Sequence, residues 1–259
     1  MYDYISFKPN QKEVTLTPSD NLNINGTPLN ELVDGYRQLS VSGRGVLSDT
    51  PDTTPVPMRD GVWFNYTQTE PRPLTIQYQL EAETSEELRL RFNALNKALR
   101  AGQEALDVTF DDEPEWHYYA YLRDGGNFTE NKLSIVSEFE LFCPSSFAYK
   151  TAESGTTVSL EYADEVLPER IELVAESGDT VELVNTKGDR LVFNGSYASG
   201  QRLELIYHDD HISFERDGLN ITTDLAMFSF PETLTFRDGD TLSVTGATLS
   251  LIEWRDKKR

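Results

Sequence analysis

From residue 156 onward the chain reads as roughly nine short runs rich in β-branched and aromatic residues, spaced about 8–12 residues apart. The runs are 156–162, 170–176, 180–185, 190–193, 202–207, 211–216, 234–236, 241–244 and 248–254. Turn formers separate them, as at Ser177-Gly178-Asp179, Lys187-Gly188-Asp189, Asp217-Gly218 and Asp238-Gly239-Asp240. Strands this short need a second layer to bury their apolar faces. The spacing therefore predicts a β-sandwich or jelly roll.

The first half mixes strands with one helix. Residues 73–81 alternate apolar and polar strictly, the pattern of a half-buried strand. Thr84 and Glu87 then form a capping box, in which each side chain satisfies a backbone donor left open at a helix start. Leu88, Phe92, Leu95 and Leu99 recur at i, i+4, i+7 and i+11, and Gly102 is a natural stop. This predicts a helix over about 84–101, ~24 Å long, whose apolar stripe covers a sheet. Residues 13–16, 39–46, 105–110, 116–122 and 133–142 read as further strands. Residues 49–57 hold three prolines and read as a loop, because proline removes ladder donors. The pattern changes across 150–155. The expectation is a mainly β chain: a β-domain with one α-helix over 1–149, then a β-sandwich over 150–259.

A length of 259 residues leaves room for two such domains. The net charge is -21, and no Lys/Arg cluster precedes the last few residues. A protein that grips nucleic acid carries a basic stripe, so sequence-specific nucleic-acid binding is not expected. Acidity of this kind keeps a chain soluble. Cys143 is the single cysteine, which excludes an intramolecular disulfide. Its apolar setting after Phe139-Glu140-Leu141-Phe142 reads as core. Met1-Tyr2-Asp3-Tyr4-Ile5 lacks the basic and apolar regions of a signal peptide, and no window reaches ~18 apolar residues. Synthesis in a cytoplasm without membrane insertion is expected. The sequons at Asn25, Asn65, Asn127, Asn194 and Asn220 then read as turn chemistry.

Motifs for catalysis are scarce. His208-Asp209-Asp210-His211 offers histidines and carboxylates, but at an expected hairpin turn. Asp111-Asp112-Glu113 lacks the alternating ligand spacing of a calcium loop. With 44 acidic residues, carboxylate pairs suited to a glycosidase arise by chance. No G-x-S-x-G, P-loop, H-E-x-x-H or G-x-G-x-x-G occurs. Ser42-Gly43-Arg44-Gly45 opens no helix, so it is no phosphate loop. Cys143 with His117 would make a dyad, but an apolar cysteine is inert. Along 116–122, Trp116, Tyr118 and Ala120 share one strand face, and His117, Tyr119 and Tyr121 the other. Core or subunit interface is the plain reading, a sugar-stacking platform the sharper one. No residue receives a catalytic, cofactor or metal role.

Several segments together resemble the distal tail proteins of long-tailed, siphovirus-type bacteriophages. They are Gly35-Tyr36-Arg37-Gln38-Leu39 with Gly43-Arg44-Gly45, and Phe92-Asn93-Ala94-Leu95-Asn96 running on to Asp112-Glu113-Pro114 and Tyr118-Tyr119-Ala120. Phe139-Glu140-Leu141-Phe142-Cys143-Pro144 with Phe147-Ala148-Tyr149 follows, then Leu183-Val184-Asn185-Thr186-Lys187-Gly188 and Asp217-Gly218-Leu219-Asn220. The resemblance rests on their order and spacing over nearly the whole chain. It implies a galectin-like sandwich as the second domain. It also implies a ring, usually a hexamer, at the tip of the virion tail. Such a ring joins the major tail protein to the tail-associated fibre or lysin protein, with receptor-binding proteins as further partners. An acidic bore would let DNA slide past by like-charge repulsion. Interfaces favour Arg, Trp and Tyr, which nominates Arg37, Arg44, Trp63, Trp116 and Tyr118 as contact residues. The alternatives are a carbohydrate-binding module for host adsorption and, behind it, a glycan hydrolase.

Overall fold

A computed structural model describes residues 5–10, 13–58, 60–100, 102, 104–127, 133–208 and 210–259. The chain separates into two compact units, 1–148 with Arg259, and 149–258. The architecture is mostly β, in several antiparallel sheets.

In the first unit, β1 (Ile5–Asn10) and β2 (Glu13–Pro18) pair as a hairpin. Then come β3 (Leu22–Ile24), β4 (Thr27–Pro28), α1 (Leu29–Leu32), β5 (Tyr36–Ser42), β6 (Asp49–Pro55), β7 (Val62–Thr69), β8 (Arg72–Glu81), α2 (Ser85–Ala98), β9 (Leu106–Phe110), β10 (Glu113–Asp124) and β11 (Ser134–Cys143). The main sheet runs β4-β3-β9-β10-β11-β8-β5. Strand β10 joins its two halves. Tyr118 and Ala120 pair with Val108 and Leu106 on β9, whereas Tyr121 and Leu122 pair with Phe142 and Leu141 on β11. The alternation of β8 is realised in full: Leu74, Ile76, Tyr78 and Leu80 are buried. Tyr78 stacks on Tyr36 and meets Phe139 at a tilt, each ring 5.7 Å away.

Helix α2 buries Leu88, Phe92, Leu95 and Leu99 in the same core. Thr84 caps it by accepting from Glu87 N at 3.2 Å, and Glu87 reaches back to Glu83 N at 2.8 Å. The helix ends at Ala98, ahead of the expected stop at Gly102, with Leu99 as its C-cap. Ala101 lies outside the described residues. The one-helix expectation also needs correction, because α1 adds a single turn that buries Leu29. Four residues are too few to show a helical period.

The proline-rich stretch 49–57 is not a loop. Most of it is strand β6, paired with β7 from Asp49↔Thr69 to Pro55↔Val62. In a two-stranded ribbon each strand has an open edge, and proline is tolerated where its missing N–H would point outward.

The second unit holds β12 (Ala148–Lys150, starting at the boundary), β13 (Glu153–Gly155), β14 (Pro168–Ala175), β15 (Gly178–Asn185), β16 (Arg190–Tyr197), β17 (Arg202–Tyr207), β18 (Ile212–Arg216), β19 (Leu219–Asn220), β20 (Leu242–Thr245), β21 (Ala247–Trp254) and β22 (Lys257–Lys258). One sheet runs β13-β21-β14-β17-β18-β19 and another β16-β15-β20. Their inner faces meet in one core, where Phe193 and Phe214 stack with ring centres 3.8 Å apart. Two expected strands, 156–162 and 234–236, are absent as strands. The backbone of the first is tied by side chains instead. The buried carboxylate of Asp256 accepts from Glu161 N, Tyr162 N and Ala163 N at 2.8–3.0 Å. Asp238 accepts from Leu160 N. Residue Phe236 keeps only a bridge to Val166.

Candidate interaction surfaces

The site begins at the end of β5. Gly43 has φ +99, and a Cβ there would collide with the Pro73 carbonyl, so the chain can turn outward only on glycine. Arg72, the first residue of β8, fixes the return. Its buried guanidinium donates to the carbonyls of Gly43 at 2.6 Å, Gly45 at 3.5 Å and Ser146 at 3.1 Å. Arg44 grips from the other side. It forms a fork to Asp112 at 2.6 and 2.9 Å, reaches Glu113 at 3.2 Å and lies 4.4 Å over the Phe110 ring. Burial opposes its charge, but the Asp112 hydrogen bond and the two carboxylates outweigh that and hold its pKa above the ordinary value.

From this root the β6–β7 hairpin projects as an arm. The two strands pair only with each other, and every residue in both is exposed. Trp63, Phe64 and Tyr66 are 58–62% exposed, with Val62 beside them. The register shifts between Asp52 and Thr53, opposite Asn65. Trp63 and Phe64 are adjacent along the strand and so face opposite sides, and the bulge turns Tyr66 to the face of Trp63, which leaves aromatic side chains on both faces of the ribbon. Isolated two-stranded hairpins are marginal in water. This one spends its apolar side chains on solvent, the signature of a surface made for contact.

The structure sorts the residues nominated from sequence. Trp63 stands on the arm and Arg44 at its root. Arg37 is exposed on β5, opposite Gln79. Trp116 and Tyr118 lie inside the first unit, 7% and 2% exposed. The Tyr118 hydroxyl donates to Glu113 at 2.8 Å, and burial together with the Glu113 charge pushes its pKa up. Enclosed rings can neither stack on a sugar nor touch another chain. The sequence left core and interface open for this strand, since its two faces look alike; the buried face is that of Trp116, Tyr118 and Ala120, and the half-exposed one carries His117 and Tyr119. The arm, in contrast, went unread as an element. Its signal was the run Val62-Trp63-Phe64-Asn65-Tyr66, obscured by the prolines of its partner strand.

The remaining candidates carry no assembled chemistry. His208 and His211 stack with ring centres 4.3 Å apart, and His211 bonds Asp210 at 2.7 Å. Asp209 lies outside the described residues. Among the described residues, no three His, Cys, Asp or Glu side chains converge on a metal position. Burial pushes the Cys143 thiol up to about 12, with Arg72 opposing, so no thiolate is available.

The sequence profile of the phage tail protein RIFT-related domain matches residues 24–141. That stretch is thus similar to a phage tail protein domain. The matched stretch contains the arm, both arginines of its root and helix α2. No curated protein sequence matches the chain. Among solved structures, the chain is similar to the Dit (gp 19.1) protein of phage SPP1, described as a paradigm of the hub adsorption apparatus in phages infecting Gram-positive hosts. The TM-score is 0.76 at 20% identity, over 92% of this chain and 99% of that one. It is also similar to a chain of the phage p2 baseplate in its activated conformation with calcium, with TM-score 0.52 and 12% identity over 87% and 91% of the two chains. The likeness in fold thus extends beyond the matched residues 24–141 over nearly the whole chain.

Proposed function

We propose that this chain is a structural, non-enzymatic component of a phage tail tip or baseplate, assembling through its arm into a closed ring. The ring is a hexamer that joins the major tail protein on one side to the tail-associated fibre or lysin protein, and to receptor-binding proteins, on the other. The chain is made in the host cytoplasm and resides at the virion tail tip. Residues 1–149 form the ring and residues 150–259 the galectin-like sandwich. The observation that carries this reading is the arm, a ribbon with aromatic side chains exposed on both faces. A ribbon apolar on both faces suits a slot between neighbours, and a head-to-tail contact of that kind closes into a ring when its rotation allows.

The test is light scattering and particle imaging of the full chain and of the triple variant Trp63→Ser, Phe64→Ser, Tyr66→Ser. The wild type should form a discrete six-fold ring, and the variant should stay monomeric with an unchanged fold. A wild type that remains monomeric across concentrations would overturn the ring, and a variant that still assembles would overturn the arm as its contact.

A further inference from the structure

Four described residues other than glycine adopt a left-handed backbone: Asn25, Met58, Asp217 and Phe228. Asn25 and Asp217 each precede a glycine, the sequence that tight hairpin turns select. Met58 and Phe228 have no such reason. Met58 lies between the arm strands and is fully exposed. Phe228 lies in the second unit, at φ +70 and 82% exposed, beside Met227 at 84%.

The Phe228 turn is a built feature. Ser229 N donates to Ala226 O at 3.1 Å, closing a four-residue turn. A positive φ at its third residue alone marks type II, where the Cβ of any other residue disfavours what glycine does freely. Both flanks are clamped. Ala226 N donates to Val192 O at 2.8 Å, and Ser229 Oγ accepts from Val192 N at 3.0 Å. The turn thereby covers the open edge of β16. Beyond it, the Tyr207 hydroxyl donates to Pro231 O at 2.9 Å and Thr233 Oγ1 to Phe230 O at 2.8 Å. The chain thus holds a phenylalanine in a position that prefers glycine, and hands its ring to solvent. Strain held by surrounding bonds without intramolecular packing in return points outward, to a contact.

We propose that the Met227–Phe230 segment is a docking knob that enters an apolar, basic-rimmed pocket of a second, different tail protein. The proposal rests on the tail placement argued above. Met227, Phe228 and Phe230 supply the apolar body. Residues 221–234 carry Asp224 and Glu232 and no Lys or Arg, so the complementary rim is cationic. Another copy of this acidic chain matches that rim poorly, and phosphate-bearing surfaces are repelled by it. A clamped turn also loses little conformational freedom on binding, which favours a specific contact.

The test uses the full chain as wild type, as Phe228→Gly and as the arm triple variant. Purified tail-tip proteins of the same particle are presented one at a time, at low and high salt. One of them should bind wild type and arm variant alike, more weakly at high salt, and Phe228→Gly at least tenfold more weakly. The glycine variant should also melt a few degrees higher, since it relieves the turn. Equal binding of Phe228→Gly would overturn the knob, as would a lower melting point or a loss of self-association alone. Rings without any partner binding would sink the knob and leave the tail reading standing. Neither rings nor binding would sink both.

Discussion

Strands β7 and β8 are separated only by Glu70 and Pro71, and both are rich in apolar side chains. In β8 every second residue is buried, whereas in β7 none is. The difference lies in what flanks them. Strand β8 pairs with β5 and β11 and receives the core on one face. Strand β7 pairs with β6 alone. Hydrophobic sequence specifies that a surface will be covered. Topology decides whether the chain covers it or leaves it for another molecule.

That contrast can be broken most forcefully by truncating one aromatic residue in each strand. Tyr78→Ala removes a ring packed between Tyr36 and Phe139 and should cost about 3–5 kcal/mol in chemical denaturation. Trp63→Ala should shift the stability of the isolated chain by no more than about 0.5 kcal/mol while weakening assembly. A large loss from Trp63→Ala in the monomer would mean that the arm packs on its own chain.

The junction between the two regions gives the next effect. Arg72→Met keeps the apolar stem but leaves the carbonyls of Gly43, Gly45 and Ser146 without their donor. Buried groups abandoned in this way should cost about 2–3 kcal/mol. Limited proteolysis should then cut first near Gly43–Gly45. Cutting at the wild-type rate would show that the arginine does not hold the root.

A smaller effect sits on α2, inside the part that the chain covers itself. Thr84→Ala should cost about 1 kcal/mol by removing the N-cap. The Glu87 carboxyl is held below its ordinary range, first by the Glu83 N–H and further by the Arg91 charge. Its folded pKa is depressed, so its contribution is present above the unfolded value and lost as pH falls through the folded one. Glu87→Gln should therefore lower stability at neutral pH, leave low pH nearly unchanged, and so flatten the acid side of the profile measured by chemical denaturation.

What the sequence made legible follows the same division. The alternation of β8, the stripe and cap of α2 and most strands of the sandwich were readable, because each buries its pattern within its own unit. The arm was not, because prolines at 51 and 55 suggested a loop and the aromatic run beside them had no visible partner. The fate of Trp116 and Tyr118 was equally hidden. Composition nominates both for an interface, and only the packing of the first unit shows that their face is the buried one. The segment 156–162 misled for another reason, since its backbone is satisfied by the distant Asp256 and Asp238 side chains.

The smallest effect is also the sharpest discriminator. Cys143 is buried at the end of β11, and burial holds its thiol near 12, so an alkylating reagent at pH 8 should reach it only when the first unit opens. In Tyr78→Ala the labelling rate should rise about a hundredfold or more, following the lost stability. In the monomeric arm variants it should not change, because β7 contributes nothing to the core that shields the thiol. Faster labelling in Trp63→Ala would join arm and core into one cooperative unit. An unchanged rate would leave the arm as a rider on the fold, shaped for a contact outside its own chain.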